Sequence, residues 1–181
     1  MAKMLGFGTP CGVVAQCAYV VPDLKQAIAY HQQALGAGPF FVLEHTKGQH
    51  RMYRGKNIPT EVSLGMSFSG HLNVELIQLH DDAPSILREG VARHGFGFHH
   101  FGVAFEDVEA ELQKFIAKGY AEVSRNPVPT GGEVVFLEPP HPAHPGYIEM
   151  LPATAMMDQT FTRFWKASQD WDGSDPVRPF I

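Results

Sequence analysis

Val14-Ala15-Gln16-Cys17-Ala18-Tyr19-Val20-Val21-Pro22-Asp23-Leu24 has a counterpart in Phe98-His99-His100-Phe101-Gly102-Val103-Ala104-Phe105-Glu106-Asp107-Val108. When Gln16 is set against His100, Asp23 and Asp107 both fall seven residues further on, and a segment with helical spacing follows each. Each copy then closes on an apolar-Glu-apolar strand, Val74-Glu75-Leu76 in the first and Ile148-Glu149-Met150 in the second. Repeats are sought first because a missed one misplaces every later element. Two copies that supply Gln16 with Glu75, and His100 with Glu149, from equivalent places predict one four-ligand site on a pseudo-twofold axis.

The segments around these stretches repeat the same order. Residues 13–21 read as a strand, and Asp23 reads as the N-cap of a helix carrying Leu24, Ala27, Ile28, His31 and Leu35 at helical spacing. Gly36, Gly38 and Pro39 end that helix, and Phe40-Phe41-Val42-Leu43 begins a second strand. Residues 44–60 read as loop or ragged strands, 61–68 as an alternating strand, and 71–79 as a fourth. A short helix near Ser85 to Arg93 links the copies. The second copy reads as strand 98–105, helix Asp107 to Lys118 with Val108, Leu112, Phe115 and Ile116 on one face, and strands 120–124, 133–138 and 146–151. The expected fold is therefore α+β: one domain over 1–181, built from βαβββ modules at 13–80 and 97–152. Residues 153–181 form a C-terminal extension with a helix from Asp158 to Ser168.

Bulk properties narrow the function without choosing it. The net charge of −5 has no Lys/Arg cluster to offset it, which argues against nucleic acid and anionic membrane as partners. No apolar run is long enough to span a bilayer, and Met1 to Pro10 lacks the apolar stretch of a signal peptide. Cys11 and Cys17 are the only cysteines and form no CxxC pair, which suits a reducing cytoplasm.

Strand alternation explains how the four candidates meet. Gln16 shares a face with Val14, Ala18 and Val20, His100 with Phe98, Gly102 and Ala104, Glu75 with Asn73 and Ile77, and Glu149 with Tyr147 and Leu151. Each polar residue sits in a mostly apolar row, where an ionised Glu is costly unless paired or bound to a cation. One imidazole, two carboxylates and one amide oxygen suit a single divalent Zn, Ni, Co, Mn or Fe ion.

The strand–ligand pattern before Val21-Pro22-Asp23-Leu24, with Gly38-Pro39-Phe40, Glu75-Leu76-Ile77-Gln78 and Gly97-Phe98-His99-His100, resembles the vicinal oxygen chelate superfamily over residues 13–152. That superfamily includes glyoxalase I, methylmalonyl-CoA epimerase, extradiol dioxygenases and bleomycin-resistance proteins. These motifs are most similar to the glyoxalase I and epimerase-like branch. The resemblance implies that the two modules curl into a mixed sheet around a divalent metal site, with Gln16, Glu75, His100 and Glu149 as the metal ligands. It also implies a metal-dependent lyase, isomerase or epimerase that stabilises an enolate or enediolate after α-proton abstraction from a chelating carbonyl substrate.

In that chemistry a glutamate at or beside the metal is the general base, Glu149 first and Glu75 second. Val20 and Val21 stand where related glyoxalases place a basic residue for glutathione, which argues against that substrate. Two other readings stay open on the same fold: a metal-free small-molecule binding or resistance protein, and an extradiol-type dioxygenase with His141 and His144 reaching the pocket. Phe40, Phe41, Tyr53, Met66, Phe68, Phe96 and Phe98 are candidates to line a pocket for an acyl or aromatic small molecule. Trp165, Trp171 and Phe180 are expected to cover the sheet or a neighbouring subunit, and the resemblance implies a homodimer.

Overall fold

The computed structural model describes residues 2–48, 50–141 and 146–181. The chain runs β1 (Val14–Val20), α1 (Leu24–Leu35), β2 (Phe40–Gly48), β3 (Met52–Tyr53), β4 (Lys56–Asn57), β5 (Thr60–Ser69) and β6 (Leu72–Leu79). It continues α2 (Ile86–His94), β7 (Gly97–Phe105), α3 (Val108–Ala117), β8 (Ala121–Pro127), β9 (Glu133–Glu138), β10 (Tyr147–Pro152), α4 (Ala155–Ser168) and β11 (Val177–Pro179). Among the described residues all eleven strands belong to one curled, unclosed sheet, in the order β11-β2-β5-β6-β1-β7-β10-β9-β8-β3-β4. The two expected halves meet at its centre, where β1 runs antiparallel to β7.

Local chemistry sets the helix ends. The Asp23 carboxylate accepts from the Gln26 amide at 2.8 Å, and the Asp107 carboxylate from the Ala110 amide at 2.9 Å, as the matched aspartates require. Gly36 closes α1 with φ of 63°, a left-handed turn that costs a glycine little. Both helices cover the outer face of the sheet. Leu24 and Ile28 bury against Val74, Leu76 and Phe40, and Leu112 buries against Val103, Phe105 and Met150. Ile116, expected on the buried face of α3, is exposed instead.

The inner face is divided. One half of the trough is filled by the N-terminal segment and by α4, which begins at Ala155, three residues before the expected start. Leu5, Phe7, Met157, Phe161 and Phe164 are almost fully buried there. Phe164 stacks on Phe41 with ring centroids 4.0 Å apart and meets Phe180 edge-on at 5.1 Å. Phe7 lies 5.4 Å from Phe68. Apolar burial of this extent is the main favourable term in folding. β11, unforeseen in the sequence, extends the β2 edge.

The other half stays open and is bridged by the segment read as ragged strands. β2 and β5 pair as far as Gly48 and Thr60, and the chain between them crosses to the far edge of the sheet. There β3 pairs with β8, Met52 against Arg125 and Tyr53 against Ser124. An ion-pair network holds this hairpin down. Arg54 donates to Glu89 of α2 at 2.8 Å and to Glu138 of β9 at 3.0 Å, and Arg93 donates to Glu138 at 2.6 Å.

Candidate metal centre

Four adjacent central strands, β6-β1-β7-β10, carry the four candidate ligands. Register places Ala18 between Glu75 and His100, and Gly102 between Gln16 and Glu149. These two small residues leave room for the longer side chains to converge. A Cβ on Gly102 would fall 2.7 Å from the Gln16 Cβ.

The structure brings all four together. The Gln16 amide nitrogen donates to Glu75 Oε2 at 2.6 Å and approaches Glu149 Oε2 at 3.5 Å. His100 Nε2 lies 3.2 Å from Glu149 Oε2 and 3.5 Å from Glu75 Oε2. All four are buried: Gln16 and His100 fully, each glutamate with 6% of its surface exposed.

A fifth residue belongs to this group, and alternation hides it. Ala18 faces His100 while Tyr19 faces Phe98, so His99 is an extra residue on β7, a β-bulge. The bulge turns His99 to the same side as His100. It sends Phe98 away, against Phe101 at 4.7 Å and Tyr19 at 6.2 Å. The expectation that Phe98 shares the His100 face therefore fails at this point. Gly90 of α2 makes room for the His99 ring, since a Cβ there would lie 2.6 Å from His99 Cδ2.

The hydrogen bonds fix the imidazole tautomers. His99 Nε2 is 3.1 Å from the Ile86 carbonyl oxygen, which can only accept, so Nε2 carries the proton. Burial, with the neighbouring His100 charge, lowers the His99 pKa to about 3, so the ring is neutral and its Nδ1 bare. His100 Nδ1, 2.8 Å away, must therefore donate to it. A neutral His100 then turns a bare Nε2 toward two carboxylates, which requires a cation between them. In the bare protein a proton serves: burial opposes the charge on His100, but Glu149 and Glu75 outweigh it and raise its pKa to about 9. Burial also raises the Glu149 pKa, against the pull of His100.

These residues fit a divalent ion. Glu75, His100 and Glu149 each offer a ligand atom, all within 4.8 Å of one another. Gln16 Oε1 is buried with no hydrogen-bond partner among the described residues. The oxygen and nitrogen donor set matches hard-to-intermediate metals, and His99 backs the His100 imidazole as an outer partner should.

A cavity of about 490 Å³ opens on the cluster. Glu75, His100 and Glu149 form its floor, with walls from Leu43, Ile58, Leu64, Ile77, Val134 and Phe136. Of the seven side chains expected to line it, only Tyr53 does. Phe40 faces α1, and Phe41, Met66 and Phe68 lie under the N-terminal segment and α4, whose coverage the strand pattern does not encode. Phe96 is exposed. His141 lines a separate cavity with His94 and Tyr147, and His144 lies outside the described residues. Among the described residues no helix is long and apolar enough to cross a membrane.

Paired strand–helix units curled about a buried histidine–carboxylate cluster define the class of fold. The chain belongs to the Glyoxalase/Bleomycin resistance protein/Dioxygenase superfamily, whose family model matches residues 15–136. A comparison with curated proteins returns no match. Among solved structures it is similar to a hypothetical protein from Bacillus halodurans, at 17% identity and a TM-score of 0.58 over 78% of this chain and 94% of that one. It is similar to methylmalonyl-CoA epimerase from Mycobacterium tuberculosis, at 17% identity and a TM-score of 0.55 over 87% and 95%. It is also similar to a Streptomyces coelicolor methylmalonyl-CoA epimerase variant in complex with 2-nitronate-propionyl-CoA, at 18% identity and a TM-score of 0.53 over 81% and 97%. At these identities the likeness speaks for the fold.

Proposed function

We propose that this protein is a divalent-metal-dependent isomerase, epimerase or lyase that removes a proton from the α-carbon of a small carbonyl substrate. The observation that carries this reading is the buried quartet of Gln16, Glu75, His100 and Glu149, three of which form the floor of a largely apolar cavity. Two buried carboxylates converging on His100 Nε2 form a costly structural element and a good cation site. Zn, Ni, Co, Mn or Fe in the divalent state would supply Lewis acidity to two adjacent oxygens of the substrate.

The chain's own residues would do the rest. Gln16, His100 and the two glutamates would hold the ion, and His99 would hold His100 in the ligating tautomer. Glu149 is the proposed base and Glu75 the alternative. Both line the cavity, and burial raises the Glu149 pKa above the ordinary carboxylate value, as a general base requires. The apolar walls would exclude water from the carbanion and accept an acyl or aromatic body. The epimerase neighbours favour the isomerase side of the reading. The reduced, buried Cys11 and Cys17 suit a cytoplasmic setting. A homodimer is proposed from the family resemblance.

A second reading has its own observation. The quartet closes on itself through the Gln16–Glu75 and His100–Glu149 contacts, as a metal-free binding protein would need. Metal analysis of the purified protein separates the two. The enzyme reading expects about one divalent ion per chain. It also expects α-proton exchange from a carbonyl library in D₂O, lost on chelation and in Glu149→Gln. A protein that takes up no ion and binds ligands equally with and without chelator would reverse the conclusion.

A further inference from the structure

The cavity contains a cation that the proposed chemistry leaves unused. Arg51 lies just before β3, on the segment that bridges the open half of the trough, and lines the same cavity as Glu75, His100 and Glu149. Among the described residues its guanidinium makes no hydrogen bond or ion pair with another side chain. The nearby acids are committed elsewhere. Asp81 accepts from the backbone amides of Glu61 and Ala83. Lys47, another cation lining the cavity, pairs with Glu61 at 3.2 Å. Burial lowers the Arg51 pKa, with Asp81 and Glu75 pulling the other way from a distance. Arginine nonetheless stays charged in proteins.

The backbone is shaped around this side chain. A Cβ on Gly48 would fall 1.9 Å from Arg51 Nε and 2.6 Å from its Cγ and Cδ. Gly48 sits at the end of β2, opposite Thr60, so its bare Cα gives the arginine stem its place beside the strand. The Arg54–Glu89–Glu138 network holds the next residues against α2 and β9. A guanidinium over the cavity that makes no ion pair among the described residues has its charge available to a ligand. Its fork of donors matches carboxylate and phosphate oxygens, which it takes two at a time.

We propose that Arg51 is the anion anchor of the cavity, and that the substrate carries a carboxylate or phosphate besides the two adjacent oxygens presented to the metal centre. This rests on the metal-dependent reading for the second half of the molecule; the anion site itself needs only Arg51. The substrate class is therefore an oxyanion-bearing carbonyl compound with an apolar body, held at two points so that its α-hydrogen meets a glutamate.

The test uses 3-phenylpropionate, 2-phenylethyl phosphate and the uncharged 3-phenylpropionamide, titrated calorimetrically into Co²⁺-loaded and chelator-treated protein. At least one anion is expected to bind about 10- to 100-fold more tightly than the amide, in both forms of the protein. The tighter of the two identifies the headgroup. Arg51→Met should erase the preference, Arg51→Lys should keep part of it, and Gly48→Ala, which displaces the arginine, should weaken it. Equal binding of amide and anions by the unaltered protein would overturn the proposal without reference to any variant, as would a preference that survives in chelator-treated Arg51→Met, where no metal can take the anion. Co²⁺ uptake, followed by visible absorption, is expected to be the same in Arg51→Met as in the unaltered protein. Absence of Co²⁺ uptake with an intact anion preference would remove the metal reading and leave the anion site standing.

Discussion

His99 Nδ1 lies 2.8 Å from His100 Nδ1, and the Ile86 carbonyl at 3.1 Å on the far side of His99 decides which of the two carries the shared proton. The chain from helix α2 through two imidazoles ends on His100 Nε2 among the carboxylates of Glu75 and Glu149. A backbone carbonyl in α2 thus sets the protonation of a group on β7.

His99→Leu is expected to weaken Co²⁺ binding by about 10- to 100-fold, the usual effect of losing an outer partner of a ligating histidine. His99→Gln, which can still accept from His100 through its amide oxygen, should recover part of the affinity. Visible absorption titrations read both. Unchanged affinity in His99→Leu would show that the relay does not position His100.

Metal should stabilise the fold, because only the folded chain assembles the quartet. At a free ion concentration 100 times Kd the gain is about 2.7 kcal/mol. Glu75→Gln should abolish that gain while leaving the chelator-treated protein at least as stable as the unaltered one, since it removes one of two buried like charges. Thermal melts with and without Co²⁺ measure both effects. A large loss of stability in chelator-treated Glu75→Gln would contradict the prediction.

Acid should loosen the hairpin that carries Arg51. Burial works against the charge of Glu89, but hydrogen bonds from Arg54 and Tyr53 outweigh it and bring its pKa to about 2, from an ordinary 4.5. A carboxylate with a lowered folded pKa binds fewer protons folded than unfolded, so its contribution is complete above about pH 4.5 and lost as the pH falls toward 2. Glu89→Gln should be less stable at neutral pH and show a flatter decline across that window, measured by urea denaturation. Parallel pH curves for the two proteins would count against the network.

Gly102→Ala should cost about 1–3 kcal/mol, the range for inserting a methyl into a filled core. The new Cβ would meet Gln16 Cβ at 2.7 Å and Leu151 Cδ1 at 3.1 Å, so Gln16 must move and Co²⁺ affinity should fall with stability. The same substitution at Gly12, where a Cβ meets nothing within 4 Å, strains only a turn with φ of +87° and should leave Co²⁺ affinity unchanged. Equal metal affinities in Gly102→Ala and the unaltered protein would show that Gln16 has room to spare.

Much of the architecture was legible because it is periodic. Asp23 and Asp107, set seven residues past Gln16 and His100, cap equivalent helices, and period-two rows put Glu75 and Glu149 on the inner face. Three of the expected pocket residues, Phe41, Met66 and Phe68, are buried elsewhere for one reason. Alternation tells which face a side chain takes but not what covers that face. Phe41, Met66 and Phe68 lie under the N-terminal segment and α4, whose arrival there depends on contacts far apart in sequence.

The amino-acid sequence by itself determined the duplicated strand–helix order and the four polar positions at its heart, because helical and strand periods and caps act between near neighbours. Tertiary structure alone decided three things: that a bulge turns His99 into line with His100, that α4 fills half the trough, and that the segment after β2 crosses to β8 with Arg51 over the cavity. Each depends on register and closure between distant segments, where the balance of packing and chain entropy is struck over the whole sheet.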